Sequence, residues 1–195
     1  MVVSKFDEQY QTILNSGIKY LLKTYDDVSF DHDNVLIIDK NVTFEKPVRL
    51  PREYKRFTIF YVSSPTKSTR TKKNLNLMLL DNETETVSYF CANNLKWCNI
   101  NSIVVERYIK KMFGPNFRLN YIPARFTSPI KDKDYEFDLF KTEFKSLMWN
   151  LFWISLKLKN PKFTDDVLEE YYLINVKKRK DLKTLLIDFF EKINK

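Results

Sequence analysis

The run from Ser146 to Pro161, SLMWNLFWISLKLKNP, constrains the fold more than any other stretch of the chain. Leu147, Met148, Trp149, Leu151, Phe152, Trp153, Ile154, Leu156 and Leu158 fall on every side of a helix. A helix that is apolar all round has to be covered on all sides, so this one is expected at the centre of a domain, with Ser146 at its start. Lys157 and Lys159 break the run, which leaves too few consecutive uncharged residues for a membrane span.

With 195 residues, 44% of them apolar and 15% aromatic, the chain can fill a sizeable core. A single domain over 1–195 is expected. The opening MVVSKFDEQY lacks the apolar centre of a secretory signal. Cys91 and Cys98 are too few for a disulfide framework and have no metal-ligand spacing with the single histidine, His32. A reducing compartment, no metal and no cofactor follow as expectations. Two glycines, Gly17 and Gly114, leave no loop that could cradle a phosphate, which excludes nucleotide sites of the P-loop and Rossmann kinds. The net charge of +8 favours an acidic or polyanionic partner; lysine-rich coding from an AT-rich genome accounts for it equally well.

Apolar spacing predicts an amphipathic helix over residues 5–23, ended by Asp26 and Asp27. Val35 to Asp39 and Phe57 to Val62 read as buried strands, and Leu75 to Asp81 followed by Thr86 to Phe90 as an antiparallel hairpin. Ser102 to Phe113 reads as a helix stopped by Gly114-Pro115, and Phe117 to Ile122 as a further strand. Pro-punctuated polar sequence then runs to Asp134. After the apolar helix, Thr164 is placed to start a helix through Tyr172, and Lys180 to Ile193 forms a last amphipathic one. This order predicts an α+β domain with a mostly antiparallel sheet.

Three segments together resemble a cysteine-peptidase-like family of large cytoplasmic DNA viruses, with a papain/Ulp1-like fold. Its members carry His-x-Asn-x-Leu-Ile-x-Asp, then Arg-Phe-Glu-Pro-His-Gly, then Gly-x-Cys-x-x-Trp-Ser-x-Trp-Tyr running to Asn-Pro. NLNLMLLD puts Asn74 at the histidine position and matches at Asn76 and Asp81. SYFCANN matches at Phe90 and puts Cys91 at the carboxylate position. FKSLMWNLFWISLKLKNP puts Ser146 at the cysteine position and matches at Trp149, Asn160 and Pro161. The similarity covers about residues 74–161. It implies a central buried helix packed on a mostly antiparallel sheet, and a hydrolytic site whose reactive positions Asn74, Cys91 and Ser146 are vacated. Asparagine takes no proton near neutral pH and no histidine lies downstream of His32. Glutamine, the oxyanion donor in the Ulp1 group, occurs only at Gln9 and Gln11. A lost base alone removes roughly 10²- to 10⁴-fold in rate, and an unactivated serine is a poor nucleophile.

Each position also has an ordinary reading. Ser146 suits a helix cap or first turn, Asn74 a strand edge or turn, Cys91 and Cys98 buried apolar filling, and His32, between Asp31 and Asp33, a solvated loop. Lys67, Arg70, Lys72 and Lys73, and Lys177, Lys178, Arg179 and Lys180, form two basic clusters that solvated charge explains by default. They are the anion-binding candidates. Three functions remain open: a catalytically inactive peptidase-like protein that binds a viral or host protein or serves in a virion or core assembly; a basic accessory protein on nucleic acid or another polyanion; and a hydrolase with a rearranged site using Cys91 or Cys98, with His32 as base. The expected setting is host cytoplasm or virion, with no membrane partner.

Overall fold

Helix α1 (Lys5–Thr24) forms where the apolar spacing predicted it, and Leu14, Ile18 and Leu21 make its buried stripe. The computed structural model describes residues 5–37, 43–44, 55–65, 73–91, 102–123, 142–164, 167–168, 170 and 187–195. The chain divides into two compact units, one of Met1–Asp26 with Pro129–Lys195 and one of Asp27–Ser128. The described elements of the first unit are helices, and the second unit holds the sheet.

In the helical unit, α3 (Thr142–Lys159) is buried at every position from Leu147 to Ile154, including Asn150. That agrees with an apolar surface running right round the helix. Its start differs from the expectation: α3 begins at Thr142, so Ser146 lies beyond the first turn rather than at the N-terminus. Gly17 of α1 sits where α3 approaches closely. A Cβ there would collide with Leu151 Cδ1 and lie 2.9 Å from Cδ2 and 3.2 Å from Cγ. Overfilling a packed site typically costs about 1–3 kcal/mol. We expect Gly17→Val to lose about 2 kcal/mol in urea unfolding, and Leu151→Ala in the same chain to recover part of that loss. Additive losses in the double variant would show that the two sites are not coupled.

The end of α3 follows from its last residues. Asn160 donates from both its backbone N–H and its Nδ2 to the Leu156 carbonyl, at 3.0 and 2.9 Å, and Pro161 cannot continue a helix. Lys157 is buried, and its Nζ donates to the Phe163 carbonyl at 2.8 Å, so the aliphatic stem lies inside while the charge ties down the turn. Thr164 Oγ1 accepts from the Val167 N–H at 3.4 Å, the capping arrangement expected of a threonine there. Of the helix expected through Tyr172, residues 167, 168 and 170 are described and helical. Of the helix expected over Lys180 to Ile193, residues 187–193 are described and form α4. Phe189 of α4 stands edge-on to Tyr20 and to Phe152, with ring centroids 5.7 Å apart in each pair.

The sheet unit contains β1 (Val28–Ile37), β2 (Thr43–Phe44), β3 (Phe57–Pro65), β4 (Lys73–Asp81), β5 (Thr86–Cys91), α2 (Ser102–Phe113) and β6 (Arg118–Pro123). The strands lie in the order β2-β1-β3-β4-β5-β6. The protein is α+β, but its sheet is mixed rather than mostly antiparallel. β1–β2, β3–β4 and β4–β5 are antiparallel, whereas β1–β3 and β5–β6 are parallel. The second parallel pair follows from chain connectivity, since α2 is the crossover that carries the chain from β5 back to start β6 in the same direction.

Phe60, Val62, Met78, Leu80, Val87 and Tyr89 alternate along β3, β4 and β5 and pack with Val105 and Ile109 of α2 and with Phe117. The intervening Phe57, Ile59, Leu77, Leu79 and Phe90 are buried too. Burial on both faces explains why FTIFYV and LNLMLLD read as continuous apolar runs instead of alternating ones. Gly114 ends α2 at φ 130°, a conformation glycine tolerates and L side chains avoid, and its N–H bonds the Lys110 carbonyl at 3.1 Å.

Two tyrosines set an alkaline limit. Burial raises the Tyr25 phenol above its ordinary pKa of 10.0, with a smaller upward push from Tyr20 opposed by the hydrogen bond to Ser155. Burial raises Tyr61 as well. Above pH 10.0 the folded state therefore holds protons that the unfolded chain has released, so stability falls as pH rises through the folded values. Unfolding free energies measured near pH 8.5 and near pH 11 should show this fall, and it should shrink in a chain carrying Tyr25→Phe and Tyr61→Phe. An unchanged fall would assign it to other groups.

Candidate functional site

The best-defined polar arrangement among the described residues surrounds Asp81, the last residue of β4. The side chain is only 2% exposed. Its Oδ1 accepts from the Glu83 N–H at 3.0 Å and the Thr84 N–H at 3.4 Å, while Arg56 approaches it with Nε at 3.3 Å from Oδ1 and a terminal nitrogen at 3.4 Å from Oδ2. Arg56 also pairs with Glu83 and lies over the Phe57 ring, 4.8 Å from its centroid. The Asn82 N–H donates to the Arg56 carbonyl at 2.8 Å, and its Nδ2 to the Lys55 carbonyl at 2.9 Å. The hairpin loop 82–85 closes with Glu85 at φ 52°. An aspartate that accepts from amides two and three residues on is a turn organiser, and here the guanidinium offsets its buried charge.

Several residues that match the resembled family thus have structural work to do. Asp81 builds the hairpin turn, Phe90 and Trp149 are buried, and Asn160 with Pro161 ends α3. The vacated positions fall on three elements. Asn74 lies in β4 and Cys91 closes the neighbouring β5, in the sheet unit; Ser146 lies in α3, in the helical unit. At the fifth residue of α3, the Ser146 amide has Thr142 four residues behind it as its helical acceptor, so it is not one of the unsatisfied donors that give a helix N-terminus its pull on an anion.

His32 lies in β1, not in a loop. Between Asp31, opposite Phe60, and Val35, opposite Tyr61, the register jumps, so residues 32–34 form an irregularity in the strand. Strands β1 and β5 are separated by β3 and β4. Three strand spacings amount to about 14 Å, more than a histidine and a cysteine bridge with a hydrogen bond, so the sheet order works against a His32–Cys91 pair. Cys98, Lys67, Arg70, Lys72, Lys177, Lys178, Arg179 and Lys180 lie outside the described residues, and Lys73 is the first residue of β4.

Sequence reasoning missed the partnership of Arg56 with Asp81, which joins residues 25 positions apart and leaves no local signature. Among the described residues no group of three or more His, Cys, Asp or Glu is placed to hold a metal ion, and no helix is long and apolar enough to cross a membrane. Compared with protein-family models, with curated proteins and with solved structures, the chain matches none of them.

Proposed function

We propose that this chain is a catalytically inactive, cysteine-peptidase-like protein of papain/Ulp1-like descent that works by binding another protein, viral or host, or as a structural part of a virion or core assembly. The observation that carries the reading is the replacement of all three reactive positions, by Asn74, Cys91 and Ser146, within segments that keep Asn76, Asp81, Phe90, Trp149, Asn160 and Pro161. The position of Ser146 past the first turn of α3 supports it, because a nucleophile there lacks the free amides that lower its pKa. A reducing setting, host cytoplasm or virion, belongs to the same reading.

The test is chemical. Purified protein incubated with a fluorogenic peptide library, a fluorophosphonate and a thiol-directed acylating probe should show no turnover and no active-site labelling. Stoichiometric labelling of Ser146 or Cys91 that is lost on denaturation would overturn the proposal and favour a hydrolase with a rearranged site.

A further inference from the structure

We propose that the outer ridge of α2 is a contact surface for the phosphate backbone of a nucleic acid, a property separate from the peptidase-like reading. Helix α2 turns Val105 and Ile109 into the core of the sheet unit. Among its described side chains the exposed ones are Ile103, Arg107 and Lys111, spaced four apart along a single ridge, with Ile103 62% exposed. Lys110 flanks the ridge and pairs with Glu106 at 2.7 Å. Neither Arg107 nor Lys111 has an ion-pair partner among the described residues.

The helix dipole accounts for cations in the last turn, which covers Lys110 and Lys111. It does not cover Arg107, a full turn earlier. The neighbours of Arg107 at three and four positions are Val104, Lys110, Ile103 and Lys111, so no carboxylate of α2 at helical pairing distance compensates it, and like charges four apart weaken a helix. Two neighbouring cations on the solvent side of a helix, with no ion-pair partner among the described residues, cost the fold a little and give it nothing. They gain value when phosphates neutralise them and counterions are released. A membrane fits less well, because Val105 and Ile109 are spent in the core and the exposed ridge offers a single apolar side chain, Ile103, among the described residues.

Fluorescence anisotropy with a labelled DNA duplex of about 30 base pairs tests this. The wild-type chain should bind, and Arg107→Gln with Lys111→Gln should lower the slope of log affinity against log salt by roughly 1.8, about 0.9 per lost phosphate contact. Arg107→Glu with Lys111→Glu should weaken binding at low salt by at least about tenfold. Lys162→Glu with Lys192→Glu, two exposed lysines of the helical unit, removes the same net charge elsewhere and should have little effect. Equal losses in the two reversal variants would mean that total charge, not this ridge, does the binding. No duplex binding by the wild type, or binding of polyglutamate in preference to DNA, would also overturn the proposal. Thermal unfolding of each variant excludes loss of fold as the cause.

Discussion

Trp149→Ala is expected to remove about 3–5 kcal/mol of stability, the range for deleting a large buried aromatic. The indole is 2% exposed, and its ring meets Phe152 edge to face at 6.0 Å, one contact in a series that continues through Phe189 to Tyr20 and so joins α3, α4 and α1. Native domains are stable by only about 5–15 kcal/mol, so this one truncation consumes much of the total. Trp149→Phe keeps most of the volume and should cost clearly less. Equilibrium unfolding in urea measures both. A loss under about 1 kcal/mol for the alanine variant would mean that the centre of the helical unit is looser than its burial implies.

Asp81→Ala should be the next most damaging change, at about 3 kcal/mol. It removes two amide hydrogen bonds to a charged acceptor, each worth about 1.5–3 kcal/mol, and takes from Arg56, itself 21% exposed, its buried ion-pair partner. Solvent takes up part of the released guanidinium, which keeps the figure below the two-bond maximum. Glu83 is 64% exposed, so its own pair with Arg56 contributes little. Asp81→Asn preserves an oxygen for the Glu83 and Thr84 amides but presents donors or a neutral group to Arg56, and should fall between wild type and alanine. If the asparagine variant were as unstable as the alanine one, the ion pair rather than the turn would be the chief contribution of this residue.

These two residues also show how far the sequence could be read. The hairpin around Asp81 was legible because apolar runs flank a polar tetrapeptide, and α2 was legible because Gly114-Pro115 marks its stop. The all-round burial of α3 was legible from Trp149 and its neighbours, but its beginning was not. Apolar density starts at Leu147, whereas the helix starts at Thr142, where Thr142 and Glu143 carry only ordinary start signals. β1 was half-seen: Val35 to Ile37 stood out, but Asp31, His32 and Asp33 masked the continuity with Val28 to Phe30. Strand direction left no mark either, because the pattern of one strand says which faces are buried and not which way its neighbour runs. The candidate site was legible only as a set of substitutions, since Asn74, Cys91 and Ser146 are each ordinary where they stand.

The pairing of Gly17 with Leu151 has a consequence for biosynthesis. Helix α1 docks on one that follows it by more than a hundred residues. At about 5–20 residues per second, Gly17 is made roughly 7–27 s before Leu151. Most helical stability in proteins comes from packing of an amphipathic face, so until then α1, with its stripe of Leu14, Ile18 and Leu21, lacks the helix it docks on. The sheet unit, continuous in sequence from Asp27 to Ser128, can close on itself first, and the helical unit is completed only when α3 meets α1.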